Sequence, residues 1–191
     1  MLVTKSKKLE IILVFLCHID IILPSFPEVS EMKIGVISDT HLKSYDERLR
    51  IIMEDYFGDV SLILHAGDLV DISILDAFDG KEVKAVCGNM DSPEVKKLLP
   101  DKLVLDLNGY KVGLIHGWGI PFGIEKRLRG KFDDIDCLIY GHTHRAVNMV
   151  REDVLFFNPG SAIDKRFSEK NTIGILEIND TITGEIIELK Y

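Results

Sequence analysis

Five short apolar runs in this chain stop in the same way, and that repetition constrains the fold more than any other feature. KIGVIS (Lys33–Ser38) leads into Asp39-Thr40-His41, VSLILH (Val60–His65) into Gly67-Asp68, and VKAVC (Val83–Cys87) into Gly88-Asn89. KVGLI (Lys111–Ile115) leads into His116-Gly117, and CLIY (Cys137–Tyr140) into Gly141-His142-Thr143-His144. Short, near-continuous apolar runs are what strands covered on both faces require. Where each run ends stands a side chain able to hold a metal ion, usually beside a glycine that lets backbones approach closely. In α/β sheets, crevices open beyond the carboxyl ends of the strands, so five such ends can meet at one place. Residues two apart in extended chain point the same way. That spacing predicts a shared target for Asp39 and His41, and another for His142 and His144.

Taken singly, these signals are weak. An Asp-x-His after a strand is often a turn cap, and a Gly-Asp is usually only a turn. His-x-His is stronger. The joint pattern is what carries weight, because a bland explanation needs five strand ends to acquire metal-competent residues independently. Carboxylate, amide oxygen and neutral imidazole together suit divalent ions such as Mn2+, Fe2+, Ni2+ or Zn2+.

The intervening chain fits an α/β sandwich of mixed sheets in one domain. Asp46 is placed to cap a helix whose Leu49, Ile52, Met53, Tyr56 and Phe57 form one apolar face. Short helical segments are expected at Ile72–Phe78, after Ser92-Pro93, and at Ile124–Arg129 ending on Gly130. Hairpins are expected at Leu103–Leu107 with Tyr110–His116 around Asn108-Gly109, and at Ala146–Arg151 with Val154–Phe157 around Glu152-Asp153. A third joins Ile173–Ile178 to Glu185–Leu189 through a turn containing Gly184.

Residues 1–31 differ from the rest. Lys5, Lys7 and Lys8 precede an apolar run, Ile11 to Leu23, interrupted by His18 and Asp20 and ended by Pro24 and Pro27. No small-x-small cleavage site follows, and the run is shorter than the roughly 20 residues a spanning helix needs. The reading adopted is an extension upstream of a domain that begins at Met32, just before its first strand, and runs through 32–191. The net charge of −8 on 191 residues leaves no electrostatic footprint for duplex nucleic acid, and no membrane association is expected. The cysteines Cys17, Cys87 and Cys137 show no CxxC spacing and read as reduced thiols, which implies a reducing, cytoplasmic setting.

In order, Asp-x-His, Gly-Asp, Gly-Asn, His-Gly and Gly-His-Thr-His resemble the motifs of the calcineurin-like metallophosphoesterase superfamily. The resemblance is to its small phosphodiesterases, which are similar to the retromer subunit Vps29, and it covers Met32 to the C-terminus. It implies a four-layer αββα sandwich and two divalent ions, Mn2+ foremost, with Ni2+, Zn2+, Fe2+ or Mg2+ as alternatives. It assigns Asp39, His41 and His144 to the first ion, Asn89, His116 and His142 to the second, and Asp68 to a bridge between them. It also places Asn158-Pro159-Gly160-Ser161 near the site, where an ordinary tight turn is the alternative reading. His65 reads as a packing or supporting residue and Arg145 as a solvated one.

The expected reaction is hydrolysis of a small phosphodiester by hydroxide held between the ions under Asp68, with Asn89 also touching the substrate. Many relatives carry Gly-Asn-His-Asp or Gly-Asn-His-Glu, whose histidine is thought to protonate the leaving group. Here the stretch is Gly88-Asn89-Met90-Asp91, and methionine gives no proton. The rival readings are a monoesterase of a small metabolite, a nuclease acting on short or cyclic nucleotides, and a Vps29-like binding scaffold without catalysis. A homo-oligomer is compatible with the apolar residues of the hairpins.

Overall fold

The structure is a computed structural model that describes residues 3–4 and 31–191. The upstream-extension reading of 1–31, and Cys17 with it, therefore falls almost wholly outside the described residues. The described residues form eleven strands, three α-helices and one 3-10 helix, which sort into two sheets with helices on both outer faces.

The first sheet has the order β1-β11-β10-β2-β3-β4. Its strands are β1 (Val3–Thr4), β2 (Met32–Ile37), β3 (Leu62–His65), β4 (Glu82–Ala85), β10 (Thr172–Ile178) and β11 (Thr181–Glu188). β2, β3 and β4 run parallel, while β10 is antiparallel to both β2 and β11. The second sheet has the order β5-β6-β7-β9-β8, from β5 (Lys102–Leu107), β6 (Tyr110–Ile115), β7 (Cys137–Tyr140), β8 (Val147–Arg151) and β9 (Val154–Asn158). Its three central strands, β6, β7 and β9, are parallel, with antiparallel β5 and β8 at the edges. Mixed sheets of this kind are what the sequence pattern of early alternation and late hairpins predicts.

Alternation along each strand feeds separate cores. Ile34, Val36, Leu62 and Leu64 from the first sheet meet Val112, Leu114, Ile139, Leu155 and Phe157 from the second in a central layer. Ile37, Ile63 and Ile175 face the other way and pack on Leu49, Ile52 and Phe57 of helix α1 (Glu47–Asp55) and its exit, and on Ile74 and Phe78 of a 3-10 helix, Ile72–Phe78. Val95 of helix α2 (Pro93–Leu98) joins this layer. On the far side, Leu138, Tyr140 and Phe156 pack on Ile124 and Leu128 of helix α3 (Ile124–Arg129). The result is an αββα sandwich. Each fully buried Leu, Ile or Phe contributes about 1.5–3 kcal/mol by leaving water, so three contiguous cores are ample for a chain of this size.

Local signals hold in detail. The Asp46 side chain accepts from the Arg48 N–H at 3.0 Å and caps α1, and Ser92 caps α2 ahead of Pro93. Asn108-Gly109 and Glu152-Asp153 all have positive φ, as type I′ hairpin turns demand.

One expectation is corrected. The last hairpin turns at Asn179-Asp180, not at Gly184, and β11 starts at Thr181 with Gly184 opposite Leu176 in mid-strand. Asn179 Oδ1 accepts from the Thr181 N–H at 3.1 Å and closes the real turn. Gly184 is a packing glycine, since a Cβ there would lie 2.5 Å from Phe157 Cε2. Gly184→Ala is therefore expected to lower stability by about 1–3 kcal/mol through overpacking. Phe157→Leu in the same background should recover part of the loss. Urea titration of the single and double variants checks both, and strictly additive losses would rule out the ring contact as the cause.

Candidate metal centre

The carboxyl ends of β2, β3 and β4 lie at the same edge of the sandwich as those of β6, β7 and β9. There the loops bring together all seven residues singled out from the sequence. His41 Nε2 lies 3.1 Å from His144 Nε2, and the Asp39 Oδ1 atom is 3.3 Å from His144 Nε2 and 3.8 Å from His41 Nε2. Asp39 Oδ1 is also 4.0 Å from His116 Nε2, while Asp68 Oδ2 is 3.2 Å from that same nitrogen and 3.7 Å from His41 Nε2. Two groups of donors thus have atoms within 4.8 Å of one another: Asp39, His41, His144, and Asp39, Asp68, His116. His142 Nδ1 meets Asn89 Oδ1 at 2.8 Å and its ring stands edge-on to His116, with centroids 5.4 Å apart.

The convergence is achieved differently from the extended-chain expectation. Asp39, His41, Asp68, His142 and His144 all take left-handed backbone, with φ between 51° and 70°. Alternation along a strand therefore does not aim these pairs; tight left-handed turns do. Asp and His tolerate this region better than most residues, and a cluster of such conformations is typical of functional loops. Val70, a β-branched residue at φ 80°, is the costlier case. Close approach is enforced as well. A Cβ on Gly88 would lie 2.2 Å from Asp68 Oδ1, and one on Gly141 would lie 2.0 Å from Ser38 Oγ.

A layer of supporting residues escaped the strand-end rule. Asp91 is buried and accepts from the backbone N–H groups of Asp68 (3.2 Å), Val70 (2.6 Å) and Gly88 (2.6 Å), tying the loop after β3 to the loop after β4. Asn158 donates to the Gly141 carbonyl at 2.9 Å, and the Ser161 hydroxyl donates to the Asp39 carbonyl at 2.8 Å. The Asn-Pro-Gly-Ser segment is thus a brace between two site loops rather than an ordinary turn. Asp164, also unmarked in the sequence, places Oδ2 at 3.7 Å from His41 Nε2 and 3.9 Å from His144 Nδ1, and pairs with Arg166. Fully buried His65 accepts from Gly67 N–H at Nδ1 (3.2 Å) and faces Thr40 Oγ1 at 3.3 Å through Nε2, so it supports the loop without joining the donor cluster. Arg145 is exposed at the cavity wall.

The donor set fits divalent cations. Asp39 Oδ1, His116 Nε2 and His144 Nδ1 are buried without a hydrogen-bond partner, an expensive arrangement unless something charged shares the space. The first two of these atoms face the cluster itself. Burial holds His41 below its ordinary pKa in spite of Asp68 and Asp39, which favours the neutral imidazole that coordination needs. Burial also works to lower His116, but Asp68, Asp39 and the Ala66 carbonyl outweigh it and hold that ring above its ordinary value. For Asp68 burial pushes upward, and His116, the Met90 N–H and His41 together bring the carboxyl below the usual range. Over this cluster opens a cavity of about 780 Å3 whose walls include Met90, Arg145, Lys165, Arg166 and Phe167.

Comparison with known proteins agrees with this geometry. Residues 32–181 match the calcineurin-like phosphoesterase superfamily domain. A probable metallophosphoesterase of Methanocaldococcus jannaschii is 40% identical over 163 residues, covering 83% of this chain and 82% of the relative. Among solved structures, an archaeal phosphodiesterase superposes with a TM-score of 0.68 at 27% identity, over 83% of this chain and 100% of that one. Wild-type Vps29 of Entamoeba histolytica in complex with Zn2+ superposes with a TM-score of 0.60 at 25% identity, over 82% and 99% of the two chains.

The buried His65 yields a test of the supporting layer. Burial depresses its pKa to about 3 from 6.5, so the folded state resists a proton that the unfolded state accepts. Its contribution is present above pH 6.5 and is lost progressively as pH falls from 6.5 toward 3. The loss at pH 5 is about 2 kcal/mol. In chelator-treated protein, His65→Gln should flatten the fall in stability between pH 7 and 5, as read from thermal melts. His116 acts with the opposite sign, so the comparison is the slope of variant against parent. An unchanged slope would show that His65 is not the acid-sensitive group.

Proposed function

The chain belongs to the calcineurin-like phosphoesterase superfamily, and from that premise we propose that it is a phosphodiesterase working through two divalent metal ions, with Mn2+ as the preferred ion. The observation that carries this reading is the pair of donor clusters sharing Asp39, with Asp68 Oδ2 reaching between His41 and His116. Asp39, His41 and His144 would hold one ion, Asn89, His116 and His142 the other, and Asp68 would serve both. Bound ions would supply an activated water and charge withdrawal from the phosphoryl oxygens.

The chain's own residues do the rest. The orientation of Asp68 supports a shared role, because the Met90 N–H occupies its Oδ1 at 2.7 Å and leaves Oδ2 toward the imidazoles. Asp39 is oriented by the Ser38 hydroxyl at 2.6 Å and the His142 N–H at 3.1 Å, both on Oδ2, which leaves Oδ1 for the centre. His116 donates through Nδ1 to the Ala66 carbonyl at 2.7 Å, which presents Nε2 to the cluster and fixes the ring, as partners behind metal-binding histidines commonly do. Its raised pKa means that a proton must leave before Nε2 can coordinate, so ion binding should strengthen as pH rises. Arg145, Lys165 and Arg166 offer positive charge to a phosphate entering the larger cavity.

Leaving-group chemistry sets the preference among esters. Met90 is 54% exposed at the cavity wall and has no proton to give. The alkoxide of a poor leaving group must then find its proton in water, whereas an activated diester needs none. The filled donor set argues against a scaffold without catalysis.

Mn2+ should stimulate hydrolysis of bis(p-nitrophenyl) phosphate, and chelation should remove the activity reversibly. Asp68→Asn is expected to cut this turnover by about 100-fold or more, at or beyond the upper end of losses from residues standing behind metal ligands. Near-normal turnover in that variant would end the bridging assignment. A second assay compares kcat/KM for this diester with that for an alkyl phosphate monoester. The diester should be the better substrate, and the reverse order would count for the monoesterase reading.

A further inference from the structure

Two clefts open from the donor cluster, and only the larger has a role so far. The second, of about 630 Å3, is lined by Asn89, His116 and Gly117 from the site loops and by Lys96, Lys102, Lys131 and Trp118. Asn89 lines both clefts and meets His142, a wall of the larger one, at 2.8 Å. A phosphorus held beside Asn89 therefore adjoins both clefts.

The second cleft is built for an anion. In a chain of net charge −8, three lysines face one groove and a single carboxylate, Asp101, opposes them. The Lys96 ammonium donates to the Asn89 carbonyl at 2.8 Å and that of Lys102 to the Lys131 carbonyl at 2.6 Å, so each retains donors for a ligand. Lys131 Nζ lies 5.3 Å from the centre of the Trp118 ring. The loop that carries Trp118 is pinned by Arg127, which donates to the Trp118 carbonyl at 2.9 Å and the Ile120 carbonyl at 2.8 Å. The wall is thus present before any ligand arrives.

We propose that this groove is a substrate subsite for the second ester arm of the diester, and that the arm it selects carries a further phosphate, as a short oligonucleotide does. The proposal rests on the phosphodiesterase reading and deepens it. A tetrahedral phosphorus with two ester arms fills both clefts, whereas a monoester leaves one unused. Lysines act as point charges toward phosphate, and binding energy gained away from the reacting bond improves kcat/KM. The groove confers preference for a polyanionic diester on a chain whose overall charge would repel one.

The experiment uses the Mn2+-loaded full chain and two probes that share a leaving group: thymidine 5′-(p-nitrophenyl phosphate) with and without a 3′-phosphate. Within each protein the readout is the ratio of the two KM values, which cancels changes in fold or metal loading. The 3′-phosphate should lower KM about tenfold in the parent, the scale of one charge-assisted contact. In the Lys102→Glu/Lys131→Glu double variant the ratio should fall to about one. Both side chains are exposed, so the substitutions leave the cores untouched. Calorimetry with thymidine 3′,5′-bisphosphate should show the same tenfold weakening in the variant without relying on turnover. A ratio of one in the parent, or an undiminished ratio in the variant, overturns the subsite. Absence of hydrolysis of either probe and of bis(p-nitrophenyl) phosphate would overturn the phosphodiesterase reading beneath it.

Discussion

Two carboxylates, Asp39 and Asp68, are 0% and 2% exposed and lie within a few ångströms of each other's imidazole partners. Taking an ionised carboxylate out of water costs several kcal/mol unless partners repay it. The fold repays part of that cost with the Ser38 hydroxyl, the His142 and Met90 N–H groups and the nearby His116 imidazole, 3.2 Å from Asp68 Oδ2. Asp39 Oδ1 remains unsatisfied among the described residues. Around this electrostatic deficit gather the meeting strand ends, the left-handed loops, and the buried Asp91 that ties the loop after β3 to the loop after β4. A cation is the group of the right sign and size to close it.

Much of this was legible because strand ends are readable. A run such as CLIY announces a strand buried on both faces, and the polar residues that follow must then lie where the sheet stops. All seven candidate donors came together for that reason. The hairpins at Asn108-Gly109 and Glu152-Asp153 were legible too, the first from residue types that admit the positive φ such turns require, the second from the apolar runs on either side of it. Gly184 misled because glycine has two uses. It serves turns by its backbone and cores by its missing side chain, and only the position of the Phe157 ring, far away in sequence, separates the two.

The supporting residues were hidden for a related reason. Asp91, Asp164 and Ser161 act through backbone groups or through another side chain, and those partners are set by which loops touch across the sandwich. No spacing rule encodes that. Asp91 follows Met90 at the point where the sequence drew attention to a missing histidine, yet its own part lies in three N–H groups, one in its own loop and two in the loop after β3. The left-handed loops were equally unreadable in advance, because an Asp or His accepts either backbone region and the surrounding contacts decide.

The donors divide evenly enough between the sheets to matter. Asp39, His41, Asp68 and Asn89 follow strands of the first sheet, and His116, His142 and His144 follow strands of the second. The inter-sheet core beneath them is apolar and non-directional, so it resists separation better than it resists sliding. Ions bound across that seam would act as rivets. Coordination bonds are short and directional, so they would lock the two halves of the sandwich against shear at the edge where the strand ends meet. Catalytic competence and mechanical registry of the sheets would then rise and fall together.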